Sequence, residues 1–345
     1  MPRNEFDAKK RHHYVWANYL TRWGSGTRNV FYTTKTGRIA HDSVRGIVVE
    51  DFFYKITPLN HKQIEVIKGY SQLSPDHLQR HHVSYLNDFL KMQHDEAVYR
   101  KSGIRIQEVE QHLHALKCNL LENLHASHES KAGPVLAALA DEQLDVLLDK
   151  THMIEFMVFF GHQISRTKTF RDSVIQALPR RNAIEIDMVE AMAHAWWFLS
   201  YMFGMNIGYD LYVGRNYAKH ALLINDTRVP FITSDQPVVN VHSCVSETEF
   251  AAPEYSDLYY AISPRVAYII CDSDRFARGR NVVDEVTVVE LNTKVAAQAK
   301  THIIGDSENA ILPFQKYIGR RYQKAHPDLA HKQLPSIDGR LPFWC

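Results

Sequence analysis

The hydrophobic period of this chain changes near Gly208, and that change constrains the fold more than any single motif. From about residue 58 to Met205, apolar residues recur at three and four positions, the signature of helix faces. Ile186, Val189, Met192, Ala193, Trp196 and Trp197 form one such stripe, expected to pack in the core. Beyond Gly208 the apolar runs are short and rich in β-branched residues: 221–224, 231–232, 238–241, 258–260, 266–270 and 286–289 read as strands between turn residues. Residues 291–302 then return to helix. The pattern predicts an α+β protein in a single domain, with a mainly helical body over about 58–206 and a C-terminal antiparallel sheet over about 208–315.

The arm before residue 57 is expected to pack on that sheet. Residues 6–23 read as a helix-like segment because Tyr14, Ala17, Asn18 and Thr21 repeat at helical spacing, and Gly24-Ser25-Gly26 stops it. Residues 30–34 and 46–49 read as two short strands. Helix starts are signalled after Pro58-Leu59-Asn60, at Ser74-Pro75-Asp76 and at Pro134.

Forty basic residues against 39 acidic ones give the chain no global field toward nucleic acid or membrane. Two local basic groups, Arg3/Lys9/Lys10/Arg11 and Lys316/Arg320/Arg321/Lys324, read as mixed solvated surface. Four scattered cysteines without Cys-x-x-Cys spacing argue against a zinc ribbon or disulfide framework and fit a reducing, cytoplasmic setting. No run of about eighteen apolar residues points to a membrane span, and the opening residues lack the apolar core of a secretion signal.

Twenty histidines are the unusual entry in the composition. His112, His114, His125 and His128 lie on a polar helical stretch that reads as a solvated face. His12 and His13 are adjacent, so on a helix they diverge by about 100° and only one can face a buried site. Glu155, Phe159, His162 and Arg166 share one helix face; it is either an exposed ion-pair ladder or an anion-binding cleft wall in which Arg166 forks a phosphate or carboxylate. Asp187, Glu190 and His194, again at three and four residues on one helix, either serve a metal or, for Asp187 and Glu190, simply complement the helix dipole. In Thr233-Ser234-Asp235-Gln236-Pro237, a strand delivers small polar side chains into a turn; Asp235 either closes that turn through its own backbone or projects to hold a metal. No dinucleotide, Walker, nucleophile-elbow or zincin signature is present.

His12-His13-Tyr14-Val15, Glu50–Tyr54, Arg166-Thr167-x-x-Phe170-Arg171, 230–237, 260–264 and Glu290-Leu291-Asn292 together resemble the domain of unknown function 4238 family. That family usually places a proline soon after the His-His-Tyr-Val run. Here Trp16-Ala17-Asn18 stands instead, so continuous helix is expected in place of a bend. The stretch from 100 to 150 resembles nothing. The resemblance implies no activity, but it raises the functional reading of Asp235 to parity with the turn reading.

The resulting expectation is a cleft lined by His13, Arg166 and Asp235, with His162 and Glu155 behind them and His12, Thr233 and Ser234 touching the ligand. The corresponding chemistry is metal-assisted hydrolysis of a phosphodiester, in nucleic acid or a phosphorylated small molecule. Asp235 holds a divalent ion, a histidine activates water and Arg166 clamps the phosphate. The rival expectation is a non-enzymatic sensor or interaction protein binding an anionic ligand or partner in the same cleft. A third is that the motifs only staple the N-terminal arm to the sheet, in which case Asp235→Ala mainly lowers stability.

Overall fold

The computed structural model describes residues 7–245 and 253–321; Arg3, Phe6, Lys324 and Cys345 lie outside them. The chain is α+β. It opens with β1 (Arg11–His13), α1 (Ala17–Leu20), β2 (Asn29–Thr33), β3 (Ile39–Ser43) and β4 (Val49–Asp51). The helical body follows as α2 (His61–Gln72), α3 (Asp76–Lys101), α4 (Gln107–Ala140), α5 (Lys150–Ser165), α6 (Lys168–Ala177), α7 (Ala183–His194) and α8 (Trp196–Gly214). The chain continues through β5 (Lys219–Ile224), β6 (Thr233–Ser234), β7 (Val238–Asn240), β8 (Asp257–Ala261), β9 (Val266–Cys271), β10 (Gly279–Val282), α9 (Glu285–Gln298), β11 (Ile303–Gly305) and α10 (Glu308–Ile311).

The strands form two main sheets rather than one. A five-stranded sheet runs β10-β5-β9-β8-β7, antiparallel except for the parallel β10–β5 edge. A four-stranded antiparallel sheet runs β3-β2-β11-β6, so strands from the two ends of the chain share it. Strands β8 and β9 are buried along their whole length, which explains their near-continuous apolar sequence. Phe156 and Phe160 of α5 meet Tyr268 edge-on at 5.2 and 6.0 Å between ring centroids, and this contact seats the helical body on the larger sheet. Tyr19 of α1 stacks on Tyr260 of the same sheet at 4.9 Å.

Several expectations need correction. Residues 11–13 are a strand, because β1 pairs with β4 in the register His12↔Glu50; helix is confined to the single turn of α1 and a 3-10 turn at Thr21–Trp23. Residues 46–49 enter β4 through a 3-10 turn at Val44–Gly46 and Val48, whose φ is +50°, and β3 was not foreseen. Residues 286–289 belong to α9: the Asp284 side chain accepts the Thr287 amide, and this N-cap outweighs the β-branched run. Pro134 lies inside α4, where the buried Ala132, Val135, Leu136 and Leu139 hold the helix together around the missing N–H. The apolar stripe of α7 divides at Ala195: Val189, Met192, Trp196 and Trp197 are buried, whereas Ile186 is exposed.

Helices α5 and α8 approach backbone to backbone through Gly161, Gly204 and Gly208. A Cβ on Gly161 would lie 2.4 Å from the Gly204 carbonyl oxygen, and one on Gly208 would lie 2.8 Å from that of Met157. Backbone cannot yield as a side chain can, so Gly208→Ala should destabilise the protein by roughly 2 kcal/mol. Chemical denaturation would test this; an unchanged midpoint would mean that the two helices separate freely.

Candidate functional site

Strand alternation decides what His12 and His13 do. His12 turns inward, stacked on Tyr54 at 5.7 Å. Its Nε2 donates to the Lys9 carbonyl at 2.9 Å, which leaves Nδ1 to accept the Tyr54 amide at 2.9 Å. Both ring nitrogens are used, and burial lowers the pKa, so His12 is a neutral structural histidine rather than a ligand contact. His13 is half-buried, and its Nε2 has no partner. Burial first, then Arg11 and Arg166, also keep this ring neutral.

Arg166 stands at the C-terminal end of α5 and is 2% exposed. Its Nη1 donates to Glu129 of α4 at 2.6 Å and its Nη2 to Gln163 at 2.9 Å, while Nε has no partner. This burial overturns the exposed-ladder reading of the helix face. Glu122, two turns before Glu129, has its carboxyl pushed up to about 7 by burial and by Glu129, against the pull of Arg166. Burial likewise pushes the Glu129 carboxyl up, and its ion-pair partner Arg166 opposes that.

Three further imidazoles surround this pair. His125 is buried against Tyr54 at 4.7 Å, with Nδ1 unpartnered. His128 stacks on His162 at 4.7 Å and meets the Tyr201 hydroxyl at 3.1 Å. His162 has neither ring nitrogen bonded. Burial and the cationic Arg166 hold His125 and His162 well below the usual histidine range; burial, Lys131 and Arg166 take His128 to about 4. At neutral pH all three are uncharged. The centre reaches solvent through His13, Glu122, His128 and Glu129, each half-buried.

The solvated-face reading of His125 and His128 is therefore wrong, and Glu122 and Glu129 were missed. A signal existed: Glu122, His125 and Glu129 follow one another at three and four residues, which puts two carboxylates and an imidazole on one helix face.

Asp235 sits in a different, fully bonded setting. Its Oδ1 accepts the Lys300 amide at 2.8 Å, and its Oδ2 accepts those of Thr301 at 2.7 Å and His302 at 3.0 Å. Ser234 Oγ bonds the Gln236 backbone, and Thr233 Oγ1 meets the Tyr19 hydroxyl at 2.7 Å. A cation at Asp235 would have to displace amide donors that have no other acceptor, so the expected metal does not fit there. Among the described residues, no group of three or more His, Cys, Asp or Glu side chains is placed to hold a metal ion. Glu155 is half-buried two turns before His162, and among the described residues it makes no hydrogen bond or ion pair. Asp187 pairs with Lys62 at the surface.

The three motifs still meet. Gln163 Nε2 reaches the Tyr14 carbonyl at 3.5 Å, and Thr167 Oγ1 donates to the Gln236 side-chain oxygen, so strand β1, the α5–α6 corner and the 233–237 turn form one junction. Among the described residues Arg166 and Asp235 share no hydrogen bond or ion pair and have separate partners.

Fold and site together define an α+β protein with a largely buried cluster of carboxyl, imidazole and guanidinium groups between α4 and α5. A family model described as protein of unknown function (DUF4238) matches residues 11–309, and the chain belongs to that family. No curated protein and no solved structure matches it.

Proposed function

We propose that the α4–α5 centre is the chemical site, and that it hydrolyses a phosphodiester, of nucleic acid or of a small molecule, by acid–base catalysis. The observation that carries this is the convergence of a carboxyl poised near neutrality with unpartnered donors and acceptors on Arg166, His13 and His125. Perturbed groups concentrated in one place favour a site over a scaffold. In this reading ionised Glu122 takes a proton from the water that attacks phosphorus, the bond to the leaving alkoxide breaks, and the protonated carboxyl returns its proton to that oxygen. The Nε–H of Arg166 meets an anionic oxygen, and the neutral Nε2 of His13 accepts a hydrogen bond from the attacking water. Asp235 is left out of the chemistry because its oxygens are committed.

Glu122→Gln tests both halves of the reading. General-base catalysis is worth about 100-fold or more, so turnover of bis(4-nitrophenyl) phosphate should fall by at least that factor. The stability effect has a fixed sign. The folded pKa of Glu122 lies above its unfolded value of roughly 4.5, so the native state loses stability as pH rises from about 4.5 through 7. The glutamine variant should therefore gain up to about 3 kcal/mol over wild type at pH 8 and nothing at pH 4. Undiminished turnover in the variant, or a wild type that cleaves no phosphodiester, would end the enzymatic proposal.

A second reading has its own support. Arg166 is already neutralised by Glu129, so an incoming anion must compete with a resident carboxylate. This favours a sensor that binds an anionic ligand without turning it over, and saturable binding of a phosphodiester that stays intact would decide for it.

A further inference from the structure

A cleft of about 400 Å³ lies between α9 and the 3-10 turn Leu312–Tyr317, away from the polar centre. The volume falls within the range of small-molecule sites. Apolar side chains, among them Pro230, Phe314 and the rim residue Val289, make up much of its wall. The charged residues that line the cleft are Arg228 and Lys316, the latter lying 5.2 Å over the Tyr317 ring; among the described residues no acidic side chain lines the cleft and neither cation enters an ion pair. The wall is also fixed in place: Asn292 Oδ1 accepts the Ile232 amide at 3.1 Å, and its Nδ2 donates to the Pro230 carbonyl at 2.9 Å. A wall segment held in this way lowers the ordering cost of binding.

We infer that this cleft is a binding site for a small aromatic carboxylate, whose ring lies against Pro230 and Phe314 and whose anionic group faces Arg228 and Lys316. The apolar wall supplies most of the affinity and the two cations select for charge.

Titration calorimetry of the full chain with 2-naphthoate, and with uncharged 2-naphthylmethanol, tests the assignment. Naphthoate should bind saturably and at least tenfold more tightly than the alcohol. The double variant Arg228→Gln/Lys316→Gln should remove that tenfold preference while leaving alcohol binding unchanged. Val289 is 41% exposed, so Val289→Trp can crowd the cleft without endangering the fold, and it should weaken both ligands. The inference is overturned by an absence of saturable naphthoate binding, by a double variant that binds naphthoate as wild type does, or by a tryptophan variant of unchanged affinity.

Discussion

Replacing Asp235 with alanine should lower the stability of the fold by roughly 4 kcal/mol, since three amide donors, that of His302 buried and the other two partly so, lose their acceptor, and each such loss is worth about 1–3 kcal/mol before relaxation. The amides belong to Lys300, Thr301 and His302, which lead directly into β11. Asp235 also donates its own backbone amide to the His302 carbonyl at 2.9 Å, so the side chain and main chain of one residue hold the same turn. Asp235→Asn should fall between wild type and alanine, because its amide group replaces an acceptor with a donor facing other donors. Urea denaturation of the three proteins measures the series. A near-neutral alanine variant would mean that the 299–302 loop finds other acceptors, and that Asp235 has a role unrelated to holding it.

The second large effect is expected at Arg166. Arg166→Met removes the cation but leaves Glu129 behind, with a side-chain exposure of 13%, and breaking a buried pair in this way costs about 3–5 kcal/mol. Protonation should relieve much of that loss. Without the arginine the folded pKa of Glu129 rises further above its unfolded value, so the deficit should be small where the carboxyl is protonated in both states and grow as pH rises through the folded pKa. Removing both partners in Arg166→Met/Glu129→Leu should recover most of the stability, since well-packed apolar replacements of buried pairs are often neutral. Thermal melts across pH check both statements. A deficit independent of pH, or a double variant as weak as the single one, would show that Arg166 acts through packing rather than charge.

The fold was legible where a local period matched its environment. Strands β5, β8 and β9 announce themselves as compact apolar runs, and the change at Gly208 falls within α8, six residues before its end. It was illegible where two local signals competed. Four consecutive residues, Val286-Thr287-Val288-Val289, favour a strand by propensity, yet the cap at Asp284 starts a helix. At the site, the spacing of His162 and Arg166 was readable, but the burial of their face was not, because a polar stripe has the same period whether it meets water or another polar helix. Glu122 and Glu129 were hidden for the same reason. Their counterpart Arg166 lies on a different helix, and periodicity within one element carries no information about pairing between elements.

The four-stranded sheet has a consequence for how the chain is made. Thr33 Oγ1 accepts the Ile303 amide across 270 residues of sequence, and β11 lies between β2 and β6. During synthesis the hairpin β2–β3 must wait, one edge unpaired, until β11, which follows Thr33 by 270 residues, has left the ribosome. Contacts of such long range slow folding, and an uncovered edge invites pairing between nascent copies. The exposed charged and polar side chains of β3, His41 and Asp42 among them, guard the edge that stays open. Chain released before residue 305 has no such guard on the other edge, so abortive products of this protein should aggregate rather than persist as soluble fragments.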